Sequence, residues 1–381
     1  MNDSGLRDLR LVLGVGAACG LTWAVCQSVG LASAAPYGVV MAAVLMRPDF
    51  QPWPRPLLVL LPVLVVVGLG LGTFLKPLLE APEVWQFAVV TAIAQCLGQA
   101  LPDRLMLVRN LLAVLAVLPL LGSNATWLSA WHQLLAVLVG MGTATLVQSG
   151  LRLPADSLGA DSEGHGSSAA SQQEAEGGRS LTQRFADPYF WRKLILSTLA
   201  LSIGMGVGAV TPKYLYFGVV LLLNDSLGAT LLRVRDRMVG VSLGVLMPLL
   251  VFATFPIHAL SVAAVMAGTT ALIVGLGLQP HLRTALISSG VTYVGYGALT
   301  DWYVPHRWLD YLLGSGLALL VCLLVRPYSA LLRFRRLARA GEGLTEALQA
   351  LLPSALEEAR VLGQESEFRE LLRQLGPSRS R

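Results

Sequence analysis

Charge is what this sequence has least of. Asp, Glu, Lys and Arg make up only 13% of its 381 residues, about half the usual share for a soluble domain. Most of them fall between long apolar stretches rather than within them. Aromatic residues are also few, at 7%. The four cysteines, Cys19, Cys26, Cys96 and Cys322, lie inside apolar stretches without paired spacing, so they read as small packing residues rather than metal ligands. The five histidines are scattered. There is no Walker-type phosphate loop and no HExxH helix, and the glycine run from Gly68 to Gly72 sits within an apolar stretch instead of after a strand. An ATP-driven pump and a membrane-embedded hydrolase therefore lack visible machinery, and no cofactor or metal is expected.

What is present is hydrocarbon. Apolar residues make up 54% of the chain and mean hydropathy is +0.63. Twelve apolar stretches are expected as spans near residues 8–30, 35–46, 56–75, 83–101, 104–122 and 130–150, then 190–210, 213–226, 238–256, 258–278, 283–299 and 308–326. About 20 apolar residues are needed to cross a hydrocarbon layer of roughly 30 Å, so the second and eighth stretches are short. The expected fold is an all-α polytopic membrane protein with about twelve transmembrane helices. With both termini in the cytoplasm, twenty Lys and Arg residues fall inside and three outside (Lys76, Lys213, Arg307), with five in the distal tail. This follows the positive-inside rule and points to the inner or plasma membrane. The net charge of +5 arises from the same bias, so no nucleic-acid partner is expected. Ala32-Ser33-Ala34 mimics a signal-peptide cleavage site, but the apolar run before it is too long and another span follows at once.

Composition divides the chain into four parts. Residues 1–153 and 186–328 form two six-helix membrane halves. The stretch between them, 154–185, is rich in Ser, Gly, Ala, Gln and acidic side chains and is expected to be a disordered cytoplasmic linker. Residues 329–381 form a short cytoplasmic amphipathic helical tail, with Leu344, Leu348, Leu351 and Leu352 on one stripe. Pro353 is expected to break or kink it, and a second helical piece covers 365–375. The tail packs either on the cytoplasmic face or on a second copy of the chain. An even span count in each half predicts a parallel repeat about an axis along the membrane normal. Residues 36–50 and 216–228 carry it: each has an aromatic residue, Gly-Val-Val, a short apolar run and then polar or helix-breaking residues.

Polar groups at membrane depth are costly and usually functional. Asn224 and Asp225 end the eighth stretch before a glycine turn, where Asp225 can carry a proton or simply pair with Arg233 or Arg235. Arg47, Arg55, Arg233, Arg235 and Arg237 can line an electropositive vestibule, since guanidinium recognises carboxylates with paired hydrogen bonds. The same arginines also satisfy the positive-inside bias. Gln95 and Gln99 recur with Thr91 at four-residue spacing, on one helix face. Tyr293 and Tyr296 face either a pathway or the interface. Arg307 and Asp310, three apart, are expected to form a structural pair, and Gly240 with Gly244 to serve close helix packing.

Residues 214–244, with Ser226-Leu227-Gly228-Ala229-Thr230-Leu231, Arg233 to Arg237, and Gly240 with Gly244, resemble the fusaric-acid-resistance (FUSC) type membrane domain of the aromatic acid exporter family. Arg307-Trp308-Leu309-Asp310, Gly314 and Arg326-Pro327 are similar to its last span. Asp225 departs from the family, which commonly has proline there, and the first half lacks the Gly-x-x-x-Gly after Arg55. The resemblance implies an exporter of organic anions, by family aromatic carboxylates, driven by protons; Asp225 as the proton carrier and alternating access of the two repeats are expectations from the residues themselves. A passive organic-anion channel and a non-transporting membrane scaffold are the alternatives. The implied partners are membrane lipid and a small organic anion, with homo-oligomerisation left open.

Overall fold

The computed structural model describes residues 3–50, 53, 55–78, 83–101, 112–116, 126–151, 181–206, 212–223, 226–252, 255–296, 300–324, 329–339 and 346–375. Among them every regular element is helical and no strand occurs. In the first half the helices are α1 (Asp3–Ser28), α2 (Ala35–Leu45), α3 (Arg55–Leu78), α4 (Glu83–Ala100) and α5 (Trp127–Gly150). Then come α6 (Leu181–Phe185), α7 (Pro188–Gly206), α8 (Pro212–Leu222), α9 (Leu227–Gly244), α10 (Leu246–Phe252), α11 (Ala259–Gly275) and α12 (Leu282–Gly290). A π-helix, Val291–Tyr296, leads to α13 (Thr300–Leu324). The tail contributes α14 (Ala330–Arg339), α15 (Glu346–Val361) and α16 (Glu365–Leu375).

Three of the described segments are long and apolar enough to cross a membrane: Gly5–Ser28, Leu58–Lys76 and Trp127–Gly150. Large apolar side chains stand exposed on these segments and on α7. Val59 on α3 is 67% exposed, and Ile195, Leu199 and Ile203 recur every fourth residue on α7, with Ile195 61% exposed. Such stripes are stable only against hydrocarbon. This is an all-α membrane protein. Helices α2 and α8, at 11 residues each, rise only about 17 Å, roughly half of the hydrocarbon layer.

The helices group into two compact units. The first comprises Met1–Ala94, Leu111–Asp161 and Arg237–Leu309, and the second Gln95–Asn110, Ser162–Asp236 and Asp310–Arg381. Each unit draws on both halves of the chain. In the first, α1 packs along α11, where a Cβ on Gly20 would lie 2.9 Å from the Ala259 carbonyl and one on Gly16 3.0 Å from that of Ala263. Helix α2 crosses α5 at Gly38 and Gly140, backbone against backbone. Gly240 and Gly244 of α9 face Thr284, Ala285 and Ser288 of α12, so this pair serves helix packing. In the second unit, α8 crosses α13 at Gly218 and Gly314, where a Cβ on Gly218 would lie 2.9 Å from the Gly314 Cα.

Several elements differ from the sequence expectation. The basic stretch Arg233–Arg237, expected between two spans, lies within one helix with the residues on both sides, because α9 runs from Leu227 to Gly244 without interruption. The expected 238–256 span is divided at Val245. Pro248 offers no N–H to the Gly244 carbonyl, which breaks the ladder there. Arg307 lies inside α13, which begins at Thr300 and includes Pro305, a proline that has no N–H to offer the carbonyl four residues before it. Leu181–Phe185, at the end of the expected linker, is helical, fastened by the Trp191 indole donating to the Phe185 carbonyl at 2.7 Å. Helix α15 continues through Pro353, because Leu348, Ala355 and Ala359 on either side are fully buried in the tail core. The 365–375 helix is found as expected. Phe334 and Phe368 close that core edge to face, 5.0 Å apart.

Candidate functional site

Polar side chains inside these apolar helices fall into three groups. The first lies in the first unit, along α11, α12 and the π-helix. Thr269 and Ser289 share a hydrogen bond of 3.0 Å, Thr270 bonds the Met266 carbonyl, and Ser288 donates to the Val241 carbonyl at 3.2 Å. Thr22 of α1 and Thr143 of α5 pair at 2.6 Å. Each hydroxyl satisfies itself within or across helices, as hydrocarbon demands. Tyr293 is the exception. It is 1% exposed, and its hydroxyl has no hydrogen-bond partner among the described residues. It also sits within the π-helix, a distortion that recurs at functional sites. Tyr296 closes the same π-helix, but its side chain lies outside the described residues.

The second group is at the end of α2. Arg47 donates to Asp49 at 2.7 Å and its guanidinium lies 5.4 Å from the centre of the Trp53 ring. Arg283, at the start of α12, lies 5.9 Å from the same ring. The indole N–H is spent on the Leu45 carbonyl at 2.7 Å, which holds the ring in place and leaves its π-face to the two cations. A cleft of about 340 Å³ opens beside this cluster, lined by Arg7, Asp8, Leu11, Pro48, Asp49 and Gln279. Arg55 begins α3, and its side chain lies outside the described residues.

The third group is in the second unit. Gln95 of α4 donates to Ser197 of α7 at 2.6 Å and hydrogen-bonds Tyr216 of α8; all three are buried. Gln99 is half-buried one turn on, while Thr91 bonds its own helix at Phe87. The motif from Ser226 to Thr230 then proves to be architectural. Ser226 accepts from the Ala229 N–H at 3.2 Å, which is an N-cap. Thr230 bonds the Ser226 carbonyl and approaches the Cys322 sulfur at 3.3 Å. Gly228 leaves room for α15 of the tail: a Cβ there would overlap the Ser354 carbonyl oxygen. Arg235 pairs with Glu357 of α15 at 3.1 Å. Arg233 and Arg237 are half-buried on α9. Asn224 and Asp225 lie outside the described residues.

Residues 195–321, one third of the chain, match the family model described as fusaric acid resistance protein-like. Over these residues the chain is similar to that family. The match covers the motif just built and the helices α9 to α12 that follow it. No curated protein and no solved structure matches the chain. The family points to a membrane transport or efflux role.

Sequence reasoning placed Arg47, Gln95 and Tyr293, and the structure finds each in a polar cluster. It missed Trp53, Arg283, Ser197 and Tyr216. Trp53 stands in a proline-rich segment whose fold back onto Leu45 has no local signal, and Ser197 and Tyr216 differ little from other polar residues in apolar helices. Asp310 is buried on α13; the Arg307 side chain, its expected partner, lies outside the described residues.

Proposed function

We propose that this protein exports organic anions, aromatic carboxylates by its family resemblance, through alternating access of two six-helix repeats coupled to protons at Asp225. The observation that carries the reading is the cluster at the end of α2: one aromatic face held beside two guanidinium groups, next to an open cleft. A carboxylate arriving from the cleft can meet the two guanidinium groups that the ring holds in place. The fusaric acid resistance protein-like match supports transport as the class of activity.

The duplicated architecture has its own support. Gly38 and Gly218 occupy the same place in the Gly-Val-Val segments of the two halves. Gly38 meets a glycine of the sixth expected span, and Gly218 meets one of the twelfth. Likewise α1, the first expected span, packs on α11, the tenth, while α4, the fourth, bonds α7, the seventh. A parallel duplication with exchanged partners accounts for both pairings. Pro48 and Gly228 stand ten residues after these two glycines. The first lines an open cleft, whereas the second is covered by the tail.

The test is flux in proteoliposomes loaded with aromatic and aliphatic carboxylates, with and without a pH gradient. Gradient-dependent aromatic flux that falls at least tenfold in Arg283→Gln and in Asp225→Asn supports the reading. Downhill flux indifferent to the gradient and to Asp225→Asn makes the protein a passive channel. No anion flux from folded protein leaves a membrane scaffold.

A further inference from the structure

The tail presents a second surface whose chemistry is unlike the rest of it. Helix α14 buries Ala330, Leu331, Phe334 and Ala338 in the tail core. The opposite arc of the same helix carries Leu332, Arg333, Arg336 and Arg339, all exposed, with Leu332 at 63%. On a helical wheel these four fall within about a third of a turn, with Leu332 among the guanidinium groups. The remaining arginine of α14, Arg335, points elsewhere and is tied to Glu367 at 3.1 Å. No acidic residue occurs in α14, so nothing on the helix itself neutralises this arc.

Position decides what can cover it. Only five residues separate Leu324, the end of α13, from Ala330, which allows at most roughly 18 Å of chain. The arc is therefore tethered to the end of the last expected span. The tail is fixed as well, by Ser354 against Gly228 and by Glu357 on Arg235, and Glu358 accepts the Ala330 N–H at 2.8 Å to hold the start of α14. A basic helix with one exposed leucine, held beside a membrane end, has the composition of an interfacial helix on anionic lipid.

We infer that the Leu332–Arg333–Arg336–Arg339 face of α14 is a docking surface for anionic phospholipid headgroups, with Leu332 entering the acyl boundary. The arginines supply the attraction and the leucine the depth. The inference requires a membrane protein but not any particular transported species.

The experiment uses the full chain carrying Cys96→Ala and an environment-sensitive fluorophore at Leu332→Cys. The other three cysteines are buried and leave the label site-specific. The protein is reconstituted in vesicles of phosphatidylcholine alone or with a third phosphatidylglycerol, and quenching by neutral acrylamide is measured. Protection is expected only in the anionic vesicles. It should weaken about fivefold for each of Arg333→Gln, Arg336→Gln and Arg339→Gln, and disappear in 0.5 M salt, where screening reaches only a few Å. Size-exclusion profiles and thermal melts check that the variants stay folded. Equal quenching in neutral and anionic vesicles overturns the inference. So does protection that grows with protein density whatever the lipid, which would mark a second copy as the occupant.

Discussion

Replacing Gly228 with alanine sets two effects of opposite sign against each other. In an isolated helix, Gly→Ala is stabilising by up to about 1 kcal/mol, less in a first turn, where Gly228 lies. Here, however, the added methyl would overlap the Ser354 carbonyl oxygen and come within 2.7 Å of its carbon. Both are backbone atoms of α15, so no side-chain rotation relieves the contact. Overpacking of this kind typically costs about 1–3 kcal/mol. Displacing α15 also stretches the Arg235–Glu357 pair, an exposed bridge worth at most about 1 kcal/mol. The clash should win, and a net change of about 2 kcal/mol lowers the docked-to-free ratio of the tail roughly thirtyfold. Amide exchange over Glu346–Val361 in the full-length protein reads this directly, as faster exchange. In a chain ending at residue 345 the clash partner is gone, so the same substitution should be neutral or slightly stabilising in a thermal melt. Unchanged protection of α15 in the full chain would refute the reasoning, as would equal destabilisation of the long and short chains.

Gly38→Ala places a methyl 2.5 Å from the Ala136 carbonyl oxygen, and Gly218→Ala places one 2.9 Å from the Gly314 Cα. Each should cost about 1–3 kcal/mol, seen as a lower melting temperature in detergent. Glu358→Ala removes a buried carboxyl acceptor from the Ala330 N–H and should destabilise the tail by about 1–3 kcal/mol, with Glu358→Gln milder, read as faster amide exchange over Ala330–Arg339. Glu365 is held below the usual carboxylate range, first by its hydrogen bond to Arg369 and then by Arg360. Its folded value being the lower one, the stabilisation is present above the ordinary carboxylate pKa and is lost as pH falls through the depressed value. Protection factors at the start of α16, with the intrinsic pH dependence of exchange divided out, should therefore fall as acidification protonates this carboxylate, and Glu365→Gln should weaken that dependence.

The scarcity of charge and the long apolar runs were enough to establish a helical membrane protein, because only helices and closed barrels satisfy backbone groups in hydrocarbon and barrel strands are shorter and alternate apolar with polar residues. The helix at Glu365–Leu375 was legible for the same local reason: Phe368, Leu371 and Leu372 share one stripe. The fusaric acid resistance protein-like motif was legible too, from Ser226 to Thr230, yet its meaning was not. Nothing in the sequence says that Ser226 caps α9 or that Gly228 is small because a tail carbonyl lies over it. The contact over Gly228 joins segments more than a hundred residues apart. Likewise the two Gly-Val-Val segments are visible in the sequence, but only the tertiary structure shows each meeting a glycine of its own half. Pro353 marks the limit of the local argument. Proline alone disfavours a helix interior, and the buried residues on both sides of it decided otherwise. What the sequence determined by itself was what each segment is, since helix formation in lipid depends on local hydrogen bonding and apolar period. Which segments touch, and which arginines gather around Trp53, was decided by packing in three dimensions, where the fit of small residues and the burial of paired polar groups have no signature in one strand of sequence.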